Sequence, residues 1–334
     1  MKKKKKEKKI LYQLIFSAFL LFSNAYLVKA NSDILSQDST GKYCINTEQD
    51  YYNFIENIQN YNNKTVILCN DIDISDVPEA TSSFGGILNG KGHTITYASK
   101  EAKENIAVFP FRINDNGIVE NINVQIDESY AYNSETDEFQ TVFSRCDGIA
   151  KGITIKGNVT CIYDDEDTDV YIGAIEGNGT LMDSSIAITY DLQSEKTIEE
   201  IADDIVDNDL SFEFCQLGTI NTGITYQNCI GYGQYSEAIK SLADELEPKI
   251  KDNTWGYLCV SFTRKSFFST SASATNCYYD KENMPDIKIM SEYITNRDNN
   301  KEFPNYADFG KTTSEMKNQG TYEGFDFNKK WTIS

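Results

Sequence analysis

The sequence predicts an all-β fold, a right-handed parallel β-helix (solenoid) with coils of about 31 residues, short helical inserts and end caps. First, Gly117, Gly148 and Gly179 stand 31 residues apart. Second, the octet starting at each glycine alternates in polarity near its end, which is typical of a strand with one buried face. Third, another strand-like run precedes each glycine, and such short strands are stable only when successive coils stack.

The predicted organisation is one elongated domain. The 334 residues suffice for a large hydrophobic core, and no linker rich in Pro, Gly or Ser divides them. A solenoid exposes unpaired strands at both ends and therefore needs caps. The predicted divisions are a signal peptide at 1–30, an N-terminal segment and capping helix at 31–65, the β-helix at 66–279, and a C-terminal cap or tail at 280–334.

Helical inserts interrupt the repeat. A fourth copy of the octet begins at Gly223, 44 residues after the third copy rather than 31. The extra residues include Thr197 and Glu200 at capping-box spacing, and apolar residues at helical spacing follow them. A second insert shows the same apolar spacing, and an amphipathic segment precedes the first coil. The predicted helices lie near 49–60, 197–207 and 237–250.

The first thirty residues predict export. Lys2 to Lys9 is a basic segment, residues 10–22 are mostly apolar, and Val28-Lys29-Ala30 has the small residues of a cleavage site. The apolar stretch is shorter than the ~20 residues of a membrane span, and an uncleaved N-terminal anchor is the alternative. We therefore expect a secreted, extracellular protein, released or associated with the cell surface, with no membrane span after signal removal.

Charge and histidine content exclude several functional classes. Residues 1–30 hold eight Lys and one Glu, so the other 304 residues hold 23 basic and 50 acidic residues, a net charge of −27. Such an acidic surface repels phosphate backbones, and no nucleic-acid partner is expected. The single histidine, His93, excludes most imidazole-dependent hydrolases and most zinc sites. We expect His93 to be a turn residue bonded to the backbone.

Two segments resemble the opening of GLUG-motif β-helix proteins, which are surface and secreted proteins of Gram-positive bacteria. They are Val66-Ile67-Leu68-Cys69-Asn70-Asp71-Ile72-Asp73-Ile74 and the Gly-rich stretch at 84–95. Gly152 and Asp183 depart from the pattern, because the family places Asn there. The resemblance implies an exported scaffold and does not imply one activity. Residues that look like the family's coil ends and tail are Asn121, Asn228-Cys229, Asn276-Cys277 and Phe325-Asp326-Phe327.

An acidic loop is the strongest candidate metal site. Five carboxylates fall within six residues, and calcium takes 6–8 oxygen ligands in proteins. The spacing lacks the glycine and the final glutamate of an EF-hand, so a solvated acidic turn is the alternative that we favour. The weak calcium candidates are Asp164, Asp165, Glu166, Asp167 and Asp169.

All eight cysteines follow the predicted signal peptide. An even number in an exported chain suggests disulfides, with buried free thiols as the alternative. Cys215 and Cys259 both occupy the strand before the glycine turn, and Cys229 and Cys277 both follow an Asn at a coil end. Equivalent positions in stacked coils are ~5 Å apart, so these two pairs are the disulfide candidates.

The sequence predicts a secreted, non-enzymatic, adhesin-like interaction protein with an unknown protein or glycan ligand. No catalytic residue or cofactor is recognised. The alternative is a carbohydrate-active β-helix enzyme of polysaccharide lyase or glycoside hydrolase type, disfavoured by the scarcity of Arg; a structural envelope element is a third possibility. The 21 Tyr favour stacking on sugars or proteins. The candidate exposed rings are Tyr51, Tyr52, Tyr130, Tyr132, Tyr278, Tyr279 and Tyr293.

Overall fold

Strands dominate the computed structural model, and their pairing is mostly parallel, as the all-β prediction requires. The predicted signal peptide lies outside the residues that the structure describes. No helix within those residues is long and apolar enough to cross a membrane. The described residues are 35–75, 80, 82–98, 108–131, 140–163, 169–217, 223–251, 254–261, 273–284, 287–289 and 309–327.

The described strands are numbered in chain order. The first eleven are β1 (Tyr43–Ile45), β2 (Thr65–Leu68), β3 (Ile72–Ile74), β4 (Ile87–Asn89), β5 (Thr94–Ala98), β6 (Phe109–Ile113), β7 (Ile118–Ala131), β8 (Gln140–Cys146), β9 (Ile149–Ile162), β10 (Val170–Ile175) and β11 (Thr180–Met182). The others are β12 (Ser185–Gln193), β13 (Ser211–Cys215), β14 (Thr225–Gln227), β15 (Ile230–Gly231), β16 (Gln234–Tyr235), β17 (Tyr257–Ser261), β18 (Ser273–Thr275), β19 (Tyr278–Asp280), β20 (Ile287–Ile289) and β21 (Gly310–Lys311).

The helices begin at side-chain caps that the sequence supplies. Thr197 and Glu200 form the capping box of the helix Ile198–Asp207, because each side chain bonds to the other's backbone amide. Ser236 caps the helix Glu237–Leu246 by accepting a hydrogen bond from the backbone amide of Ile239. Single 3-10 turns occupy Ile58–Tyr61 and Gln319–Thr321. The helices are α1 (Glu48–Glu56), α2 (Ile198–Asp207), α3 (Glu237–Leu246) and α4 (Thr313–Met316).

Two sheets carry the fold. The main path of the larger sheet runs β1-β2-β4-β7-β9-β12-β15-β19-β21, and the smaller sheet runs β20-β17-β13-β10-β8-β6. Asn123 in β7 pairs with Thr154 in β9, which pairs with Ser185 in β12. These residues are 31 apart, so the sequence period is the step from one strand to its parallel neighbour. Parallel neighbours need a crossover, and from β4 to β21 each step along the main path of the larger sheet includes one strand of the smaller sheet.

The strands β7 and β9 are longer than the short strands that the repeat predicts. Each has 14 residues, and the two pair from Ile118–Ile149 to Ala131–Ile162. The pairing continues on both sides of the turn at Asn121, because the next repeat makes the same turn at Gly152. Two predicted runs therefore merge into one strand.

One continuous hydrophobic core contains inward residues from both sheets. Ile122, Ile153 and Ser184 occupy the same inward position of successive repeats and are fully buried. Ser184 departs from the apolar pattern, but its hydroxyl donates to the Met182 carbonyl (2.7 Å) and accepts from the Ile153 amide (3.1 Å). A buried hydroxyl is tolerated when its hydrogen bonds are made.

Left-handed backbone recurs at one position of the repeat. The φ angles there are 54° at Asn121, 62° at Gly152, 50° at Asp183, 52° at Asn228 and 52° at Asn276. Gly, Asn and Asp are the residues that tolerate this conformation, so Gly152 and Asp183 replace Asn without changing the turn. The side-chain amide of Asn228 donates to the carboxylate of Asp183 (2.9 Å), and the side-chain amide of Asn276 donates to the side-chain oxygen of Asn228 (3.4 Å).

The C-terminal segment covers the last repeat. Met316, Tyr322 and Phe325 pack with Ile230 and Tyr278 in a small second core. The rings of Tyr278 and Tyr322 meet edge to face at 5.4 Å. At the edge of the smaller sheet, β20 pairs antiparallel with β17. Both features cover strand edges that would otherwise be open to pairing with another chain.

Candidate functional site

The structure describes only one residue of the candidate calcium loop. Asp164, Asp165, Glu166 and Asp167 lie outside the described residues. One oxygen of Asp169 accepts from the Ser211 amide at 2.6 Å, and the other accepts from the Tyr171 hydroxyl at 3.0 Å. Asp169 therefore ties two neighbouring repeats together. Among the described residues, no group of His, Cys, Asp and Glu is arranged to hold a metal ion.

His93 lies in a tight turn before β5. Its amide donates to the Gly90 carbonyl (2.8 Å), and its Nδ1 lies 3.1 Å from Asp71. The same Asp71 oxygen accepts from the Thr94 amide (2.8 Å). That amide, followed by His93, lowers the pKa of Asp71. His93 and Asp71 thus join two repeats at a turn, which agrees with the turn role that we expected for His93.

The disulfide in the described residues joins Cys44 to Cys69, with a Cα–Cα distance of 5.9 Å. Cys44 lies in β1 and Cys69 directly follows β2, in which Leu68 pairs with Ile45. This bond is not one of the predicted pairs. The sequence signal for it was one cysteine in each of the first two strand-like runs, Cys44 within the first and Cys69 just after the second. Both precede the first clear copy of the glycine octet, so the repeat alone did not align them.

The two predicted cysteine pairs differ in register. Cys215 lies opposite Ser261 and Cys259 lies opposite Glu213, so the prediction that this pair shares a register position is wrong. The helical insert between the strands displaces the register by two residues. Cys229 directly precedes Ile230 and Cys277 directly precedes Tyr278, and these two following residues pair with each other. The thiols of Cys229 and Cys277 are in hydrogen-bonding contact.

These four cysteines are buried thiols in the structure. Burial, followed by the contact with Cys277, raises the pKa of the Cys229 thiol. Oxidation of Cys229 and Cys277 to a disulfide stays a prediction.

Three of the seven aromatic rings that the sequence suggested as exposed are buried. Tyr51 is fully buried, and Tyr278 and Tyr279 are also buried. Tyr132 and Tyr293 lie outside the described residues. The large hydrophobic side chains that the structure exposes are Tyr232, at 42%, and Trp255, at 44%. Side-chain type alone could not distinguish these rings from core rings.

A groove of about 1150 Å³ crosses the outer face of the larger sheet. Its floor includes the directly paired residues Asn123, Thr154 and Ser185. Their side chains are half-buried, so each of these three repeats presents one small polar group. The sequence signal for this floor was a 31-residue spacing between small polar side chains. That signal is weak, because small polar residues are common on any strand face that meets solvent.

Hydrogen bonds between repeats hold the floor in place. The side-chain amide of Asn123 donates to the Gly92 carbonyl at 2.7 Å. The hydroxyl of Ser185 lies 3.5 Å from that of Thr154. Asn121, the left-handed residue of its repeat, lines the groove beside them. A floor whose polar groups already have defined positions loses little conformational entropy when a ligand binds.

The C-terminal segment lines the groove together with the last repeats. Met316, Lys317, Tyr322 and Phe327 line it, as does Tyr232. The hydroxyl of Tyr322 donates to the Met316 carbonyl (2.5 Å) and lies 3.2 Å from the Tyr232 hydroxyl. Burial, followed by this contact with Tyr232, raises the pKa of Tyr322. The aromatic part of the groove is therefore anchored on two separate parts of the chain.

The groove's three carboxylates are engaged by protein donors. Glu120 pairs with Lys151 at 2.8 Å and accepts from Asn89 at 2.6 Å. Asp183 accepts from the Asn228 amide. The third, Asp280, is buried and accepts from the Thr313 hydroxyl at 2.8 Å and 3.0 Å. These carboxylates therefore serve the fold and leave little capacity to act on a ligand.

A second polar cluster lies where the smaller sheet turns into the larger one. The carboxylate of Asp147, only 5% exposed, accepts from the Nε atoms of Arg112 (2.5 Å) and Arg145 (3.1 Å) and from the Asn178 amide (3.1 Å). Burial acts to raise the pKa of Asp147, but the arginines and the amide outweigh burial and lower it. Burial raises the pKa of the nearby Glu176. Two carboxyl groups thus differ in acidity.

Comparison of the chain with protein-family models, curated proteins and solved structures yields no match.

Proposed function

We propose that this chain winds as a right-handed parallel β-helix, is exported to the cell surface or medium, and belongs with the GLUG-motif proteins that its repeats resemble. Parallel pairing in steps of 31 residues supports the winding. The basic and apolar segments of residues 1–30 support export. The left-handed Asn turns support the family assignment.

Within that frame, we propose that the protein is a non-enzymatic, adhesin-like binding protein and that its groove holds an extended glycan chain. The groove across the repeats carries this proposal. Neighbouring strands are ~4.8 Å apart, so the floor offers small hydrogen-bonding groups at regular short intervals. The hydroxyl groups of Thr154 and Ser185 can donate and accept, as sugar hydroxyls require.

Tyr232 supplies the aromatic contact that such a site needs. Its ring is 42% exposed, and its hydroxyl contact with Tyr322 orients it. Aromatic side chains with one polar end are well suited to half-wet binding surfaces. A sugar ring stacked on Tyr232 would place its hydroxyl groups towards the polar floor.

A glycan array followed by titration tests this proposal. We expect Tyr232→Ala to weaken binding of the selected glycan about tenfold, since aromatic contacts contribute about 0.5–1.5 kcal/mol beyond burial. Ser185→Trp fills the floor of the groove with a large side chain and should weaken glycan binding more than Tyr232→Ala does. Trp255→Ala is the matched control, because Trp255 is equally exposed (44%) and does not line the groove. Equal loss with the control variant would refute the groove as the site.

The second candidate function is a carbohydrate-active enzyme of lyase or hydrolase type. The opposite pKa shifts of Asp147 and Glu176 favour it, because such shifts often mark acid and base pairs. The three donors on Asp147 favour a structural role instead, which is why we place this candidate second. Products from a polysaccharide panel that Glu176→Gln fails to form would support the enzyme.

A further inference from the structure

We propose that the groove selects an acidic glycan, one whose sugars carry oxyanion groups, and that Lys156 and Lys317 bind those groups. This inference rests on the proposed glycan-binding function and names the class of glycan. It concerns two lysines of the groove that no carboxylate of the described chain engages.

The two lysines differ from the third lysine of the groove. Lys151 forms an ion pair with Glu120 at 2.8 Å. Lys156 and Lys317 are exposed, and neither forms an ion pair with any other described residue. Both line the groove. A lysine ammonium offers three donors, and these two are available to a ligand.

The groove's carboxylates do not cancel this charge. Glu120 is neutralised by Lys151, Asp183 accepts from Asn228, and Asp280 is buried against Thr313. The groove's acidic groups therefore point into protein contacts, while two of its ammonium groups form no ion pair within the part of the chain that the structure describes. This is the reverse of the chain as a whole, in which acidic residues outnumber basic ones by 51 to 31.

The position of Lys156 suits a glycan that lies on the polar floor. Lys156 pairs with Ala187 in the strand register, two residues beyond the pair Thr154–Ser185. Alternate residues of a strand lie on one face, so Lys156 stands on the same face as the floor. Lys317 comes from the C-terminal segment. A sugar ring between them would offer its acidic substituents to ammonium groups on separate parts of the chain.

The acidic surface limits the length of the acidic glycan that can bind. Net negative charge repels a polyanion at long range, so recognition depends on short-range contacts with the two lysines. A short oligosaccharide is therefore the suitable probe. The full protein is titrated by calorimetry with a short oligouronate, with the same oligosaccharide after reduction of its carboxyl groups to alcohols, and with a sulfated oligosaccharide.

We expect the oligouronate to bind wild type more tightly than its neutral, reduced form. Lys156→Gln and Lys317→Gln should each weaken oligouronate binding about fivefold, as an exposed ion pair permits, and leave binding of the reduced form unchanged. The controls Lys42→Gln and Lys251→Gln each remove one charge, as each groove variant does, at exposed residues outside the groove and should keep wild-type affinity. Tighter binding of the sulfated probe would identify sulfate as the preferred oxyanion.

Each contrary outcome has a distinct meaning. Equal affinity for the oligouronate and its reduced form would overturn the acidic-glycan proposal and leave the glycan groove intact. Equal losses in the control and the groove variants would also overturn it, because the attraction would then be unspecific. If no probe binds wild type, the acidic-glycan proposal fails, and the glycan array decides separately whether the groove binds another glycan.

Discussion

Replacing Asp147 by Asn should destabilise the fold measurably. Asp147 accepts hydrogen bonds from two arginines and one backbone amide, which lie on three successive repeats. A hydrogen bond to a charged group contributes about 1.5–3 kcal/mol. The side chains of Arg112 and Arg145 are 55% and 40% exposed, so solvent screens part of the stabilisation that their hydrogen bonds contribute. We expect a loss of about 2 kcal/mol in the free energy of unfolding.

Thermal unfolding at several pH values measures this effect. For a chain of 334 residues, about 2 kcal/mol corresponds to a midpoint lowered by roughly 3 °C. The pKa of Asp147 is lowered in the folded state. Its stabilisation is therefore complete above the unfolded pKa, ~3.9, and is lost as the pH falls through the folded pKa. The difference between wild type and variant should be constant near neutral pH and shrink below about pH 4.

The matched control is Asp73→Asn. Asp73 is exposed in the middle of β3, and we expect a change within about 0.5 kcal/mol. Two results would refute the reasoning: an Asp147→Asn midpoint equal to that of wild type at pH 7, or a difference that does not shrink in acid. The first would mean that the arginines find equivalent partners. The second would mean that the carboxylate's charge is unimportant.

Three other predictions concern stability. Cys44→Ser/Cys69→Ser removes a disulfide with a sequence separation of 25 and should cost about 3–4 kcal/mol, measured in denaturant; an unchanged midpoint would contradict this. Asn228→Ala places a Cβ-bearing residue without a side-chain amide at φ 52° and should cost about 1–2 kcal/mol, more than Asn228→Gly; the reverse order would be evidence against the strain. Ile205→Ala, fully buried in α2, should cost about 2–5 kcal/mol, and a loss below about 1 kcal/mol would mean that the insert contributes little to the core.

The acidic loop and the groove illustrate two kinds of sequence signal. Five carboxylates within six residues are visible in the sequence without knowledge of the fold, yet Asp169 is bonded to Ser211 and Tyr171 in the structure. The groove residues Thr154 and Ser185 are ordinary small polar residues. They become a site only because parallel pairing places them side by side.

The cysteines show why register could not be derived from spacing. Cys229 and Cys277 follow an Asn turn in both repeats, and the turn restores the same register after the insert. Cys215 and Cys259 lie in the strands before that turn, and their register is shifted by two residues. Residues that pair across those two strands are 46 apart in sequence, as Cys215 and Ser261 are, whereas the two cysteines are only 44 apart.

The sequence by itself determined the repeat length, the alternation of buried and exposed residues, the helix caps and the residues that tolerate a left-handed turn, such as Asn121. These are local properties, because backbone sterics and side-chain polarity act within a few residues. The tertiary structure alone decided which rings are exposed, which charges are engaged, and that Lys156 and Lys317 line one groove. Those properties depend on contacts between residues from different repeats. Burial and ion pairing are set by the three-dimensional neighbours of a residue rather than by the order of residues in the chain.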